Sequence, residues 1–367
     1  MISEIVKYSN LKKIYKFLAC ILLKLKAIVF NKTFACRALN GDSNYNICIN
    51  SDMTVSCNCQ DYDGSGHLGD LTRQDFEDIF LGTKAQGFKA ALSRLNFPAT
   101  NCWACSDFMM LDKTEAKERN SRKKLPTKGI MVENTICCNL SCLNCDRERI
   151  LKTRKKKSLS KADMESIADL LNKLEVEQVC FFNLGEPFMS NNVTKEIQIL
   201  RKKNQKTRIV TSTNGYYLDS SDKRKAALLL DHIYFSIDGC DQETISKYQV
   251  RGDFERSYNN LKLLVSERKS ENIFRTVIEW KYVLFRWNDH PSHINKAISL
   301  AKEANVDIIS FWPGGANIQN QSFRYKYHPF YRNLGTKCWK GREIDFRKSF
   351  ESSFPPGSYP TGVAESS

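Results

Sequence analysis

Gly129-Ile-Met-Val-Glu-Asn-Thr-Ile-Cys-Cys138-Asn-Leu-Ser-Cys142-Leu-Asn-Cys145 joins a short apolar run to three cysteines spaced four and three positions apart. The run over 130–135 predicts a strand, and the cysteines fall in the loop that leaves it. Five more strand-like runs follow, at 179–183, 208–212, 232–237, 275–284 and 307–311, with helical patterns between them at 161–174, 192–202, 222–230, 254–268 and 291–304. Strands alternating with helices imply an α/β fold whose parallel sheet is open or curled into a partial barrel. In such folds ligands gather at the C-terminal ends of the strands, where the cysteine loop stands.

Three thiolates this close in sequence can hold three corners of an iron-sulfur cube. Cys137 is adjacent to Cys138 and badly placed to serve as a fourth. One iron is then left open to bind a substrate, which is the logic of a catalytic site rather than a closed structural one. Later strand ends carry their own polar signatures: Asn183-Leu-Gly185-Glu186-Pro187 after the second, Ser212-Thr213-Asn214-Gly215 after the third and Ser236-Ile-Asp238-Gly239 after the fourth.

Together these four motifs resemble the radical S-adenosylmethionine (SAM) superfamily, over 129 to about 312. The resemblance implies a partial (β/α)6 barrel, a 4Fe-4S cluster on Cys138, Cys142 and Cys145, and SAM chelated to the open iron. It implies that Gly185, Glu186 and Pro187 hold the amino group of SAM. Ser212, Thr213, Asn214, Ser236 and Asp238 would line its ribose and carboxylate. The implied chemistry is reductive cleavage of SAM and hydrogen abstraction by the 5′-deoxyadenosyl radical, with an electron donor such as flavodoxin or ferredoxin. Two departures stand out: Leu184 replaces the first glycine of the family's Gly-Gly-Glu-Pro stretch, and Asn144 stands where an aromatic residue is common.

A second cysteine group, Cys36, Cys57, Cys59, Cys102 and Cys105, precedes the α/β region. Four thiolates suffice for a closed cluster, and a structural zinc is the plainer alternative. Cys57-Asn-Cys59-Gln-Asp61, His67-Leu-Gly69-Asp70 and Cys102-Trp-Ala-Cys105 resemble the SPASM or twitch type of auxiliary-cluster domain. In that family the domain usually follows the barrel, whereas here it comes first. Cys57 and Cys59 compete for one ligand role, with Cys57 favoured. The turn residues around 45–57 predict a hairpin and 72–81 a helix. Cys180 and Cys240 read as small buried hydrophobes, and Cys338 is open to a role as hydrogen donor to the substrate.

The organisation expected is a helix over 1–30, a SPASM-like α+β domain over 31–112, a polar linker over 113–128, a radical SAM core over 129–312 and a C-terminal extension over 313–367, disordered from Ser349. In the first helix Leu11, Tyr15, Leu18, Leu22, Leu25 and Val29 recur at helical spacing, with lysines opposite. That stripe is expected to dock on the protein's own core. A weak contact with an anionic membrane surface is the alternative. The longest uncharged run, 17–23, is too short to span a bilayer, and no small-residue cleavage motif follows.

Fourteen cysteines without a secretory signal fit a reducing cytoplasm, and a net charge of +15 favours anionic partners without naming one. The basic run 147–161 lacks interleaved aromatics, which argues against a stacked nucleic-acid partner. The sequence therefore predicts a cytoplasmic radical SAM oxidoreductase or maturase acting on a peptide or a sugar-related small molecule. An RNA-modifying enzyme and a non-enzymatic redox or zinc scaffold are the alternatives.

Overall fold

The computed structural model describes residues 2–315 and 318–347, with side chains from Ile14 onward except at Ile318. The disorder expected from Ser349 lies outside the described residues. The chain divides into two compact units: residues up to 132 with 149–155 and 170–179, and residues 133–148 and 156–169 with those from 180 on.

In the first unit, helix α1 (Ile2–Val29) leads into strand β1 (Lys32–Cys36), which pairs antiparallel with β5 (Phe108–Asp112) so that Cys36 faces Phe108 in register. Beneath this ribbon Phe34, Phe97 and Phe108 form a ring cluster with centroids 4.9 to 5.5 Å apart. Strands β2 (Cys48–Ile49) and β3 (Thr54–Ser56) form the expected hairpin, and β4 (His67–Asp70) extends it antiparallel. Parallel strand β6 (Gly129–Val132) lies on the other side of β2.

Three expectations for this unit change. Helix α2 starts only at Phe76 and runs to Leu81, because residues before it close a turn in which Asp70 accepts from both the amide and the hydroxyl of Thr72. After α3 (Thr83–Ser93), the stretch read as a polar linker opens with helix α4 (Lys113–Ser121). Its periodicity is ionic rather than apolar: Arg119 pairs with Glu115 and Arg122 with Glu118, each four residues apart. The third change concerns α1. Its packed seam is Lys16, Cys20, Leu23, Lys24 and Ala27, while Tyr15, Leu18, Leu22, Leu25 and Val29 are exposed. The small Ala27, fully buried, lets the helix approach closely where a leucine would hold it off. The apolar stripe consequently faces outward.

The second unit holds β8 (Arg208–Thr213), β9 (His232–Ser236), β10 (Val277–Leu284) and β11 (Ile308–Pro313), paired parallel in sequence order. Antiparallel β13 (Arg342–Asp345) and then β12 (Thr336–Lys337) follow β11. Strand β7 (Gln178–Cys180) falls where the two units divide. Helices α7 (Val193–Lys203), α8 (Ser221–Ala227), α10 (Phe254–Ser270) and α11 (Pro291–Glu303) stand where the sequence puts them, and the short α9 (Gln242–Ser246) follows β9. The α/β class with parallel strands is thus as expected.

Strand β10 shows why the two faces differ. Trp280 and Tyr282 are fully buried, and the Trp280 ring lies 5.9 Å from Tyr258 of α10. On the alternate face stand Glu279 and Lys281, two charges in an otherwise apolar strand. No helix among the described residues is long and apolar enough to cross a membrane.

Candidate functional site

Backbone hydrogen bonds hold the cysteine loop of the second unit, beside the buried Leu140. Ser141 N donates to Val250 O and Leu143 N to Tyr248 O, each 3.1 Å, so the segment after α9 carries the loop like a partner strand. A turn is closed from Cys145 N to Cys142 O, 3.1 Å, and Leu140 N points at Cys138 Sγ at 3.4 Å. None of the fourteen cysteines is in a disulfide. Burial pushes the Cys138 thiol up to about 11, with the Glu186 carboxylate adding to the shift and Arg147 opposing it. Cys142 is raised by burial and then by Asp238, Cys138 and Cys145, and Cys145 by burial against hydrogen bonding to the Arg147 amide. The three thiols feel one another and two strand-end carboxylates, so the loop gathers with the motifs the sequence singles out.

Gly185 sits where a side chain cannot. A Cβ there would come within 1.9 Å of the Thr135 carbonyl oxygen, and this close approach lets Glu186 N donate to Cys137 O at 2.8 Å. The Glu186 side chain is 3% exposed and turns away from solvent. It accepts from Thr213 Oγ1 at 2.6 Å, Asn214 N at 2.8 Å and Phe188 N at 3.2 Å. Burial raises its carboxyl to about 7 even against these three bonds. In this arrangement Glu186 ties the segment after β7 to the end of β8. Pro187 follows it as the first residue of a 3-10 turn through Met189, which fixes the backbone that offers Phe188 N.

Asn214 extends the link to the cysteines: its Nδ2 donates to Asn139 Oδ1 at 2.9 Å and lies 4.0 Å from Cys138 Sγ. Gly215 next to it has φ +78°, a left-handed turn that redirects the chain after β8. Ser212 and Ser236 meet across β8 and β9, Oγ to Oγ 3.1 Å. Asp238 is buried and accepts from Val283 N at 2.9 Å; burial raises its carboxyl to about 7, with that bond and Lys281 pulling it down.

Four residues at this site escape the sequence reading. Gln249 bridges the Ser236 carbonyl and the Asp238 amide, at 2.8 and 2.9 Å. Asn288 donates to the Asp238 and Val283 carbonyls, 2.9 Å each. Tyr248, largely buried, feels Asp238, Cys142 and Cys145, and its ring lies tilted 4.3 Å from that of Phe285. Lys281 lies 4.7 Å from the Trp312 ring centroid and 5.9 Å from that of Tyr234, and burial lowers its pKa. Only Lys281 leaves a trace in sequence, as a charge two places after Glu279 within β10. Arg251, in the segment after α9, is exposed with φ 69°.

The cysteines of the first unit come together differently. Cys36, Cys57, Cys102 and Cys105 line one cavity with Asn58, Leu92, Ala99 and Phe108. Cys57 N donates to Gly66 O at 3.0 Å, and Cys102 to Ala104 form a 3-10 turn closed by Cys105 N to Cys102 O at 3.2 Å. Burial raises all four thiols, Cys102 to about 11; for Cys57 the next largest influences are Cys36 and Cys102. Cys59 does not line the cavity, and its thiol lies 3.3 Å from Asn46 Oδ1.

Among the described residues, no three His, Cys, Asp or Glu side chains are drawn together as ligands of one metal ion. A cubane takes one thiolate per iron and does not require that grouping. Both cysteine sets have the donor chemistry for such a cluster: free thiols, half-buried apart from the buried Cys57, whose mutual repulsion as thiolates a cationic iron core would offset.

Residues 133–278 match the family model of the Radical SAM superfamily. GTP 3',8-cyclase of Psychromonas ingrahamii (strain DSM 17664 / CCUG 51855 / 37) is 26% identical over 122 residues, 33% of this chain and 36% of that protein. The chain thus spans about a third of the length of this curated relative. Among solved structures, native anSMEcpe with bound AdoMet and Cp18Cys peptide is 19% identical, with TM-score 0.40 over 55% of this chain and 56% of that one. The radical S-adenosylmethionine methyltransferase TsrM from Kitasatospora setae is 13% identical, with TM-score 0.38 over 55% of this chain and 37% of that one. With the cysteine loop and the strand-end motifs inside the matched segment, residues 133–278 of this chain form a Radical SAM superfamily domain.

Proposed function

We propose that this enzyme reductively cleaves SAM at a 4Fe-4S cluster held by Cys138, Cys142 and Cys145, and that a second 4Fe-4S cluster sits on Cys36, Cys57, Cys102 and Cys105. When bound, the first cluster supplies the electron that breaks the sulfonium carbon-sulfur bond of SAM, and the fragment released abstracts hydrogen from a substrate. The observation that carries the reading is the convergence of three unpaired thiols on one pinned loop with Glu186 and Asp238, from the segments after β7 and β9.

The chain's own residues divide the remaining work. Thr213 Oγ1 and the Asn214 and Phe188 amides hold Glu186 and thereby fix the backbone from Gly185 to Pro187, which offers SAM its contacts. Asn214 sets the orientation of the loop at Asn139, beside Cys138. Ser212, Ser236 and Asp238 provide polar groups at neighbouring strand ends, and Gln249 and Asn288 keep that turn rigid. Preorganisation of this kind lowers the cost of orienting bound groups before reaction.

The substrate class in this reading is a peptide or a sugar-related small molecule, oxidised or matured by the radical step, with flavodoxin or ferredoxin as electron donor. Support comes from the four-thiol cavity, since the motifs around it resemble the auxiliary domain of radical SAM enzymes that modify peptides, proteins or small molecules. The test is anaerobic reconstitution followed by iron counting and assay of 5′-deoxyadenosine under low-potential reductant. Two cubanes predict about eight irons per chain. A count of about four with one tightly held zinc removes the auxiliary cluster, and tight, selective RNA binding at near-physiological salt overturns the substrate class.

A further inference from the structure

We infer that the outward face of α1 docks this enzyme on an anionic membrane surface, with the helix lying in the interfacial plane. The packed seam of α1 is the wrong side of the helix for an ordinary amphipathic element. It buries Ala27 and half-buries Lys16, Cys20, Leu23 and Lys24, the last with its Nζ 3.3 Å from Asn96 Oδ1. Facing outward are Phe17, Leu18, Leu22, Leu25, Ile28 and Val29, each more than half exposed and Val29 at 75%. At 100° per residue these six positions and Ile14, Tyr15 and Ile21 share one arc less than half the helix circumference, running about 24 Å along the axis. Single exposed leucines are ordinary, whereas a contiguous apolar strip of this extent marks an interaction site.

Charge selects the occupant. The helix carries six lysines against a single glutamate, and the whole chain is +15. Lys26 is exposed at the border of the apolar arc, where a long side chain keeps its ammonium in the headgroup layer while its stem follows the apolar surface. An apolar stripe bordered by the exposed Lys26 suits a lipid interface that is greasy below and anionic above. A second copy of the chain would bring the same positive charge to the contact and so repel. The helix is not apolar enough to cross the bilayer, which leaves the in-plane position.

The experiment is co-flotation of the full-length reconstituted enzyme with vesicles of phosphatidylcholine containing 30% phosphatidylserine, and with phosphatidylcholine alone. Binding is expected to the anionic vesicles only and to weaken as salt is added. The triple variant Leu18→Asp/Leu22→Asp/Leu25→Asp, at positions exposed in the fold, should lose flotation at least a hundredfold while keeping its circular dichroism and iron content. Lys26→Gln should weaken it about fivefold. The proposal fails if the wild type does not float with anionic vesicles, if it floats equally with neutral ones, or if the triple variant floats unchanged. It also fails if light scattering shows a dimer without vesicles that the triple variant turns into a monomer, since a second copy then covers the face.

Discussion

The two cysteine groups use opposite means to bring thiols together. In the second unit three cysteines lie within eight residues on a loop that owes its shape to backbone bonds from the Tyr248 to Val250 segment. In the first unit four cysteines from widely separated positions, 36, 57, 102 and 105, reach one cavity through the β1 and β5 ribbon, the end of β3 and a 3-10 turn. A loop motif costs little tertiary structure, and it leaves one cluster corner for an outside ligand. In the proposed reading, a cavity assembled from the fold would supply all four corners and leave none. Ligand count and folding therefore go together: the open site is local and legible in sequence, the closed one depends on the whole unit being folded.

The largest expected effect breaks the comparison at its open end. Replacing Cys138, Cys142 or Cys145 by Ala should bring 5′-deoxyadenosine production below detection, while the four-thiol cavity keeps its own irons. If the Cys138→Ala protein still cleaves SAM under low-potential reductant, the assignment of the open site is wrong. Next in size, Gly185→Ala forces a methyl group against the Thr135 carbonyl, and SAM affinity measured by equilibrium dialysis should fall at least tenfold. The double change Cys102→Ala/Cys105→Ala should remove about four irons. It should stop product formation but leave uncoupled SAM cleavage within about tenfold of wild type. A folded double variant that retains the first cluster yet cannot cleave SAM would invert the two roles.

Two smaller effects probe the supports of the loop. Glu186→Gln keeps the volume but offers one acceptor oxygen to three donors, and a lost bond at a buried site costs about 1–3 kcal/mol. A drop of roughly tenfold in SAM affinity corresponds to about 1.4 kcal/mol. Asp241→Ala removes the capping box of α9, which precedes the segment that pins the loop, and should cost about 1 kcal/mol in a denaturant titration. Hydrogen bonds to Lys296 and Thr244, opposing burial, hold the Asp241 carboxyl well below the usual range. Its contribution is therefore present above the unfolded value of about 3.9 and fades as pH falls through the lower folded value. The gap between wild type and Asp241→Ala should accordingly narrow in acid.

Much of this was readable beforehand, and the exceptions have common physical causes. The β/α alternation and the cysteine spacing are local patterns, so strands β8 to β11 and the loop from Cys138 to Cys145 could be read from period alone. Periodicity also defines the apolar arc of α1, but it is silent on which arc meets the core. That was decided by the fit of Ala27, a packing fact. Helix α4 was invisible because its regularity lies in charge pairs at four-residue spacing rather than in apolar residues. Gln249, Asn288 and Tyr248 were missed since each acts through Asp238, which lies 11, 50 and 10 positions away and outside any shared motif.

The path of the chain through its two units has a consequence for gene fragments. The first unit needs 149–155 and 170–179, where Arg154 Nη2 donates to Asn50 Oδ1 at 2.8 Å and Lys155 N to Asp52 Oδ2 at 3.2 Å. The second needs 133–148 and 156–169 from the same stretch. No single truncation point between 133 and 179 delivers either unit whole, so neither half can be expressed, shuffled or fused as an independent module by one cut. The two thiol sets are bound to travel as one heritable block, and a recombination event that separated them would have to rebuild the interleaved segment on both sides.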